Sequence, residues 1–327
     1  MTLAEFLNEW NNNADHVLVH TSGSTGKPKP LWVEKRRMEA SARITCRFLG
    51  LRPGDTALLC LPLDYIAGKM MVVRALTCGL RLVSVEPSSH PMKDLAPAPI
   101  DLAAMVPLQV AQTLRVAEER QRLMQTKHLI IGGGAIDGQI EKELQHFPNA
   151  VWSTYGMTET LSHIALRRLN GKQRDDYYTP FDGVGVSLND EGCLVIEAPA
   201  VCDGVLTTND RAELATDGRR FRILGRKDNV ICSGGIKLQT EEIEKKLKEH
   251  IHVPFMISKR SDTELGEAVV LLIEDKHCEP YYDLCRHTLL RYERPRDIVS
   301  VDHIPLTATG KPARKQAEEL ANQNARR

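Results

Sequence analysis

The segment from residue 56 to residue 156 alternates between short apolar stretches and longer stretches with a helical repeat. TALLCLP, LRLVSVEP, LAAMVP, KHLIIGGG and AVWSTYG have the pattern of strands, and helical candidates such as YIAGKMMVVRALTCG and IEKELQHF lie between them. Strands that alternate with helices form a parallel sheet, because parallel neighbours need a crossover connection. We therefore predict an α/β fold with a parallel sheet in a large N-terminal domain.

The pattern changes twice toward the C-terminus. After about residue 179, short strand candidates (VGVSL, CLVIEA, GVLTT, FRILGR) are broken by Asp-Gly and Glu-Gly turn signals, which predicts an antiparallel β region. Beyond it, candidates such as TEEIEKKLKEH and EAVVLLIE predict a small α+β domain of about 100 residues. Single cores stop growing at roughly 250 to 300 residues. We assign 1–225 to the large domain and 226–327 to a small, mobile C-terminal domain.

Composition excludes several classes of partner. Lys plus Arg and Asp plus Glu both number 43, so no net charge attracts nucleic acid or an anionic membrane. The eight cysteines are scattered without a CxxC pair, which favours reduced thiols. The first residues lack a signal-peptide charge pattern, and no apolar run is long enough for a membrane span. We expect a cytoplasmic enzyme of undetermined oligomeric state.

A polar loop, HTSGSTGKPKP at residues 20–30, separates the strand candidates HVLVH and LWVEK. It is not a P-loop, because its glycines are too closely spaced and proline follows Lys27. Glycines that turn backbone N–H groups inward, together with hydroxyls and lysines, can nevertheless bind a phosphate-rich anion. A solvated Gly/Ser turn is the alternative, so the neighbouring motifs must decide.

Four further motifs follow the polar loop. They are STYGMTET at 153–160, LTTND at 206–210, GRKDNVICSGGIKLQTEEIE at 225–244 and PLTATGKPARK at 305–315. In this order and spacing, the five motifs resemble the adenylate-forming superfamily of acyl-CoA synthetases, luciferases and peptide-synthetase adenylation domains. The resemblance extends from about residue 20 to about residue 315. It implies that a carboxylic acid reacts with Mg·ATP to form acyl-AMP. The acyl group is then transferred to CoA.

The resemblance also implies which residues bind the nucleotide. The residues around the β and γ phosphates of ATP are Thr21, Ser22, Gly23, Ser24, Thr25, Gly26 and Lys29. The residues of the adenine pocket are Gly132, Gly133, Gly134, Ala135 and Tyr155, and Gly156 is a further ATP-binding residue. Thr158 is similar to the threonine that contacts phosphate, and Glu159 is similar to the carboxylate that helps to hold Mg²⁺. Asp210 corresponds to the acid that accepts the ribose hydroxyls, and Arg226 to the arginine beside the ribose and phosphate.

Three further features of the family concern movement and acyl transfer. Lys311 is similar to the mobile catalytic lysine that bridges the α-phosphate and the substrate carboxylate. Asp228 lies at the hinge position, where backbone rotation would move the small domain. Gly234 and Gly235 would line the path of pantetheine, because glycine lets a ligand pass close to the backbone.

The helical stretch IAGKMMVVRAL gives the clue to the acid. It resembles the corresponding helix of o-succinylbenzoate–CoA ligases of menaquinone biosynthesis. Arg74 interrupts an apolar run, and a buried arginine needs either the second carboxylate of a dicarboxylate substrate or a protein carboxylate. Lys69 offers a similar charge or else extends to solvent. Ser162 and His163 are further candidates for the acid pocket.

Other interpretations stay open. The same chemistry would serve an aryl or fatty acyl-CoA ligase, or an enzyme that acylates a carrier protein. A catalytically idle, nucleotide-binding regulatory protein is a third possibility, because only 20 residues precede Thr21 where relatives usually have a much longer segment. Glu159 and Lys311 argue against it, since an idle protein has no reason to keep both. GGGAIDG at 132–138 has the wrong spacing for a dinucleotide-binding turn.

Overall fold

The computed structural model describes residues 1–20, 30–96, 98–307 and 312–324. The chain forms two compact units. The first comprises Met1–Ser187, Val195–Leu206 and Leu214–Arg222, and the second comprises Leu188–Leu194, Thr207–Glu213 and Ile223–Arg327. No helix in the described part of the chain is long and apolar enough to cross a membrane.

The helices and strands have the following bounds. The α-helices of the described residues are α1 Leu3–Asn11, α2 Lys35–Leu49, α3 Ile66–Cys78, α4 Pro107–Leu114, α5 Ala117–Gln125, α6 Gly138–Leu144, α7 Thr240–Leu247, α8 Glu279–Thr288 and α9 Arg314–Gln323. The strands are β1 His16–His20, β2 Pro30–Glu34, β3 Thr56–Leu59, β4 Arg81–Ser84, β5 Leu102–Met105, β6 His128–Ile131, β7 Ala150–Gly156, β8 His163–Arg168, β9 Thr179–Pro180, β10 Gly185–Leu188, β11 Cys193–Glu197, β12 Val205–Leu214, β13 Phe221–Arg226, β14 Val230–Ser233, β15 Ile236–Gln239, β16 Phe255–Asp262, β17 Gly266–Ile273 and β18 Asp297–Ser300.

A seven-stranded sheet in the order β4-β3-β5-β6-β7-β8-β9 forms the centre of the first unit. The neighbours from β4 to β7 pair in parallel, and β8 and β9 extend the sheet by antiparallel pairing. β3 and β5 are buried along their whole length, as expected for parallel strands covered on both faces. The predicted parallel sheet is confirmed, and β8 is an addition that the sequence pattern did not predict.

Helices α2 and α3 both end at a glycine in the left-handed conformation. Gly50 has φ 66° and Gly79 has φ 69°, which a glycine adopts without the steric cost of a Cβ atom. Every residue of α3 from Gly68 to Ala75 is buried. At Gly68, an ideal Cβ atom would lie 2.3 Å from the Pro62 carbonyl oxygen. The absence of a side chain there lets α3 approach the segment that follows β3.

Strands β1 and β2 form an antiparallel ribbon in which His16 pairs with Glu34 and His20 with Pro30. Both strands are those predicted on either side of the polar loop. Residues 21–29 of that loop lie outside the described residues. The predicted β region forms a four-stranded sheet in the order β10-β11-β12-β13, whose residues are divided between the two units.

The second unit has a mixed sheet in the order β15-β14-β17-β16, with β18 parallel beside β17. Alternate residues of β17 face two different cores, as the two-residue repeat of a strand requires. Val269, Leu271 and Ile273 join the core that includes α7 and α8. Val270 and Leu272 join the core that includes α9.

Candidate active site

The predicted adenine residues, together with the ATP-binding candidate Gly156, lie at the carboxyl ends of neighbouring parallel strands. Gly132 to Ala135 follow β6, and Tyr155 and Gly156 end β7. Because Ile131 pairs with Ser153, the two segments leave the sheet side by side. Open α/β sheets bind ligands at this edge.

Two of these glycines allow the chain to pass close to itself. An ideal Cβ atom on Gly132 would lie 2.2 Å from Thr154 Oγ1, and one on Gly156 would lie 2.1 Å from the Ser162 carbonyl oxygen. Distances this short exclude a side chain. Close packing therefore explains glycine at both positions, in addition to their predicted role in ATP binding.

The Tyr155 ring is supported by an aromatic group that the sequence did not reveal. It meets the Phe221 ring edge-on at 5.1 Å, and Tyr178 stacks on Phe221 at 5.5 Å between ring centroids. The Tyr178 hydroxyl is 2.8 Å from Ser153 Oγ. Arg167 covers the Tyr178 ring. No local sequence pattern indicates this contact, because Tyr178 and Phe221 meet through an isolated β-bridge between distant segments.

The TET sequence after β7 forms a short 3-10 helix at Thr158–Thr160. Thr158 is buried and Glu159 is exposed. In the described part of the chain, no group bonds to the Glu159 carboxylate, which leaves its oxygens available to a ligand. No cluster of three or more His, Cys, Asp or Glu among the described residues could hold a metal ion by itself. Mg²⁺ often takes only one or two carboxylates in addition to phosphate oxygens, so Glu159 fits such an ion.

In the second unit, Arg226 lies between two carboxylates. Its Nη1 is 3.3 Å from Asp210 Oδ1 and its Nη2 is 3.0 Å from Asp228 Oδ2. Asn209 also donates to Asp228 Oδ2, at 3.2 Å. The structure thus brings together the predicted ribose acid, the predicted phosphate-side arginine and the predicted hinge residue.

The end of β13 is held by a polar side chain of β15. Gln239 Nε2 donates to the Arg226 carbonyl oxygen at 2.9 Å. Gly234 and Gly235 form the exposed turn of the β14–β15 hairpin, with φ 57° and φ 81°. Positive φ at both turn positions matches the preference for glycine in a two-residue hairpin. The predicted SGGIK turn is confirmed as a turn, and its relation to pantetheine stays a prediction.

Arg74 is enclosed by protein. It is 1% exposed, and its Nη2 donates to Ser162 Oγ at 2.8 Å. Its Nη1 is 3.6 Å from the Met71 sulfur, and its Nε has no hydrogen-bond partner among the described residues. Burial lowers the pKa of Arg74 to about 10, so the guanidinium is still protonated at neutral pH.

No described carboxylate pairs with Arg74. The described residues therefore do not provide the salt bridge to a protein acid that was the alternative to a substrate carboxylate. The Cys46 thiol acts electrostatically on the guanidinium, but burial raises the pKa of that thiol, which keeps it neutral. The buried positive charge is therefore uncompensated by the described part of the protein.

His163 and Ser162 lie next to Arg74. Ser162 Oγ is 3.2 Å from His163 Nδ1, and His163 Nε2 is 3.1 Å from Thr45 Oγ1. Burial, and secondarily the charge of Arg74, lower the pKa of His163 well below its ordinary value. Three of the four predicted acid-pocket residues are thus joined by hydrogen bonds.

Lys69, the fourth, has a different environment. It is 2% exposed, its ammonium is 3.4 Å from Glu9 Oε2, and it lies over the Phe6 ring at 4.9 Å. The expectation that Lys69 extends to solvent is wrong, because helix α1 covers it. Its charge already has a protein partner, unlike that of Arg74.

The predicted catalytic residue Lys311 lies outside the described residues, as do Thr21 to Lys29.

Comparison with known proteins identifies the family. The model of the family described as AMP-binding enzyme matches residues 7–202, more than half of the chain. The chain belongs to the AMP-binding enzyme family. A solved structure of an AMP-forming acyl-CoA synthetase/AMP-acid ligase II-like protein from Dyadobacter fermentans is 33% identical. It aligns over 96% of this chain and 92% of its own, with a TM-score of 0.66.

Other members of the AMP-binding enzyme family are more distant in sequence. A 2-succinylbenzoate–CoA ligase from Bacillus mycoides is 25% identical over 94% of this chain and 70% of its own length. The o-succinylbenzoate CoA synthetase from Bacillus subtilis, solved with the acyl-adenylate intermediate, has a TM-score of 0.76 at 22% identity. That alignment covers 95% of this chain and 69% of the other. The chain is therefore an AMP-forming acid–CoA ligase by family.

Proposed function

We propose that this ligase activates o-succinylbenzoate, an aromatic dicarboxylic acid, and converts it to o-succinylbenzoyl-CoA, a step of menaquinone biosynthesis. The observation that carries the proposal is the protonated Arg74, which is buried and which no described carboxylate contacts. A buried charge of this kind is costly unless an anion compensates it. A dicarboxylate has one carboxylate to be activated and a second to pair with Arg74. The similarity to ligases named for this acid agrees with the charge argument.

The first chemical step forms acyl-AMP. A carboxylate oxygen of the acid attacks the α-phosphorus of ATP, the bond to the β-phosphate oxygen breaks, and pyrophosphate leaves. Both reactants are anions, so positively charged groups must offset their repulsion and the charge that develops in the transition state. We assign this role to Lys311. Thr158 and the residues of the polar loop would bind the phosphates of ATP.

We assign the remaining nucleotide contacts to Tyr155, Asp210, Glu159 and Arg226. Tyr155 offers a flat ring to the adenine, and the carboxylate of Asp210 can accept the ribose hydroxyls. Glu159 fits as an oxygen ligand of Mg²⁺, which would neutralise phosphate charge when bound. Arg226 lies beside Asp210 and carries the charge suited to a phosphate.

The second step makes the thioester. The CoA thiol sulfur attacks the acyl carbonyl carbon, the carbon–oxygen bond to AMP breaks so that AMP leaves, and the thiol proton passes to solvent. Lys311 has no role once acyl-AMP has formed, so a hinge at Asp228 would exchange the adenylation arrangement for one that admits pantetheine. Gly234 and Gly235 would allow pantetheine to pass close to the backbone.

The test is pyrophosphate release with Mg·ATP over a panel of acids, with mass spectrometry of acyl-AMP and, after CoA is added, of the thioester. The panel contains o-succinylbenzoate, two analogues that each lack one of its carboxylates, simple aryl acids and fatty acids. We expect o-succinylbenzoate to exceed the analogue without the second carboxylate in kcat/KM by about 100-fold or more, because that analogue leaves Arg74 unpaired. The analogue without the activated carboxylate should form no acyl-AMP, because it lacks the reacting oxygen.

Two results would replace the proposal. Equal use of an analogue that lacks the second carboxylate would indicate an aryl or fatty acyl-CoA ligase. No pyrophosphate release from folded protein with any acid would indicate a nucleotide-binding regulatory protein. A carrier protein bearing pantetheine, compared with CoA in the same assay, identifies the acceptor.

A further inference from the structure

A chain of four polar side chains connects helix α2 to helix α3. Thr45 Oγ1 of α2 lies 3.1 Å from His163 Nε2, and His163 Nδ1 lies 3.2 Å from Ser162 Oγ. Ser162 Oγ in turn accepts from Arg74 Nη2 of α3 at 2.8 Å. Thr45, His163 and Arg74 are buried, and all four residues belong to the first unit.

The hydrogen bonds that join Thr45, His163, Ser162 and Arg74 have a defined direction. The Thr45 hydroxyl donates to the Ser41 carbonyl oxygen of the preceding helical turn, at 3.1 Å. Its oxygen is therefore the acceptor toward His163, and Nε2 carries the imidazole proton. In a neutral imidazole the other nitrogen is then an acceptor, so Nδ1 accepts the Ser162 hydroxyl proton. With the opposite tautomer, the Ser162 proton would find no other acceptor among the described residues.

The environment of His163 favours the neutral form. Arg74 is the charged group that acts on this imidazole, and a second buried cation beside it would be repelled and poorly solvated. Proton uptake by His163 would also remove the acceptor of the Ser162 proton. The neutral form and the proton on Nε2 thus support each other.

The backbone of Ser162 is held in place as well. Thr160 Oγ1 donates to the Ser162 carbonyl oxygen at 2.8 Å. The backbone of Gly156 passes close to the same oxygen, and the preceding residue, Leu161, has φ 65°. Positive φ is costly for a leucine, so the surrounding contacts must stabilise this conformation. Side chain and backbone therefore both fix the Ser162 hydroxyl.

We infer that His163 is a positioning residue: as the neutral Nε2–H tautomer, it directs the Ser162 oxygen to one N–H of Arg74 and leaves Nε and the remaining N–H groups for the second carboxylate of the acid. The guanidinium has more donors than Ser162 and the Met71 sulfur can accept, and its Nε lacks a partner among the described residues. The inference rests on the proposed function of Arg74 and adds the groups that orient it.

Two matched pairs of variants test the inference in the intact protein. His163→Asn keeps an acceptor in the place of Nδ1, and an amide oxygen, unlike an imidazole nitrogen, needs no bond to Thr45 to stay unprotonated. His163→Phe removes the acceptor. Thr45→Ser keeps the hydroxyl, whereas Thr45→Val removes it. We expect His163→Phe and Thr45→Val to lower the preference for o-succinylbenzoate over its single-carboxylate analogue by about tenfold, since each disturbs a hydrogen bond to a charged group. His163→Asn and Thr45→Ser should retain the preference, and the KM for ATP should be unchanged in all four.

The outcomes separate the inference from the proposed function. Two results would overturn the role of His163 and leave that of Arg74 intact. One is that His163→Phe keeps the wild-type preference for the dicarboxylate. The other is that His163→Asn loses as much of this preference as His163→Phe does. A wild-type protein without any preference overturns the proposed function itself.

A direct measurement does not depend on turnover. In wild-type protein labelled with ¹⁵N-histidine, the His163 signals can be assigned by their absence in His163→Asn. We expect Nε2 to have the shift of a protonated nitrogen and Nδ1 that of an unprotonated one at neutral pH. Protonation of Nδ1 would contradict the inference.

Discussion

Arg74 holds a positive charge where charge is costly. Its guanidinium is protonated and buried, and it follows Met70, Met71, Val72 and Val73, which are also buried. Ser162 satisfies one N–H, but a hydroxyl carries no negative charge to balance the guanidinium. In the absence of a bound acid, the residue should therefore reduce the stability of the protein.

Arg74→Met tests this cost. Methionine has a similar shape and no charge, and apolar replacements of buried charged groups are often stabilising. We expect the free energy of unfolding of the first unit to rise by about 1 to 3 kcal/mol in the absence of substrate. Urea unfolding followed by tryptophan fluorescence measures it, and Arg167→Met is the control, because Arg167 forms a bidentate pair with Glu141. A loss of stability in both variants would show that Arg74 is compensated within the protein.

Acidification should destabilise the fold through one buried histidine, His163, and one partly buried histidine, His128. Burial is the main cause that lowers the pKa of His163 well below its ordinary value of 6.5 and that of His128 to about 4. The unfolded chain thus binds these protons first as pH falls. Their contribution to stability is complete above about pH 6.5 and is lost as pH falls toward the folded-state pKa values. Urea midpoints at about pH 7 and about pH 5 should differ less in His163→Phe than in wild type; equal differences would contradict the assignment.

The sequence indicated some residues of the acid site and missed others. Arg74 is visible because a charge in an apolar helical run needs an explanation, and Ser162 and His163 are visible because they follow the TET motif. Thr45 is not, because it is one polar residue in an amphipathic helix, and its partner is 118 residues away. Contacts between distant segments leave no local pattern to recognise.

At the scale of elements, the spacing of apolar residues predicted α2, α3 and the parallel strands. The glycines that follow α2 and α3 marked where these helices end. Helix α1 was missed although Thr2 and Glu5 form a capping box at its start, a signal that the sequence does contain. β8 was missed because its pattern continues from the TET turn without a break. Whether a segment joins the edge of a sheet depends on the neighbouring strand rather than on its own residues.

Gly68 is the position where α3 tolerates least change. A Cβ atom would lie 2.3 Å from the Pro62 carbonyl oxygen, a backbone atom that cannot move aside without displacing the chain. Gly68→Ala should therefore lower the free energy of unfolding by about 1 to 3 kcal/mol and raise the KM for the acid, because α3 carries Arg74. Gly138→Ala is the matched control, since nothing lies within 4 Å of a Cβ atom there. Equal stability of the two variants would mean that α3 is packed less tightly than described.

At the scale of the whole molecule, the proposed reaction has two steps with different requirements. Lys311→Ala should abolish pyrophosphate release yet spare thioester formation from supplied acyl-AMP and CoA, because the lysine acts on the α-phosphate in the first step only. The two half-reactions are measured separately by mass spectrometry. Loss of both together would remove Lys311 from the catalytic role.

Asp228→Pro should have the opposite effect. Proline fixes φ, so it would hinder rotation at the hinge while leaving the starting arrangement in place. Adenylation should continue, and thioester formation should fall. Asp228→Ala is the control, because it removes the contacts to Arg226 and Asn209 without restricting the backbone. Equal loss of both half-reactions in Asp228→Pro would argue against a hinge at this residue.

The central claim is that Arg74 selects a dicarboxylic acid. The most direct measurement is kcat/KM for o-succinylbenzoate relative to its analogue without the second carboxylate, by pyrophosphate release, in wild type and in Arg74→Met. We predict a strong preference for the dicarboxylate in wild type that falls by about 100-fold in the variant, with an unchanged KM for ATP. The same ratio in both proteins would contradict the account.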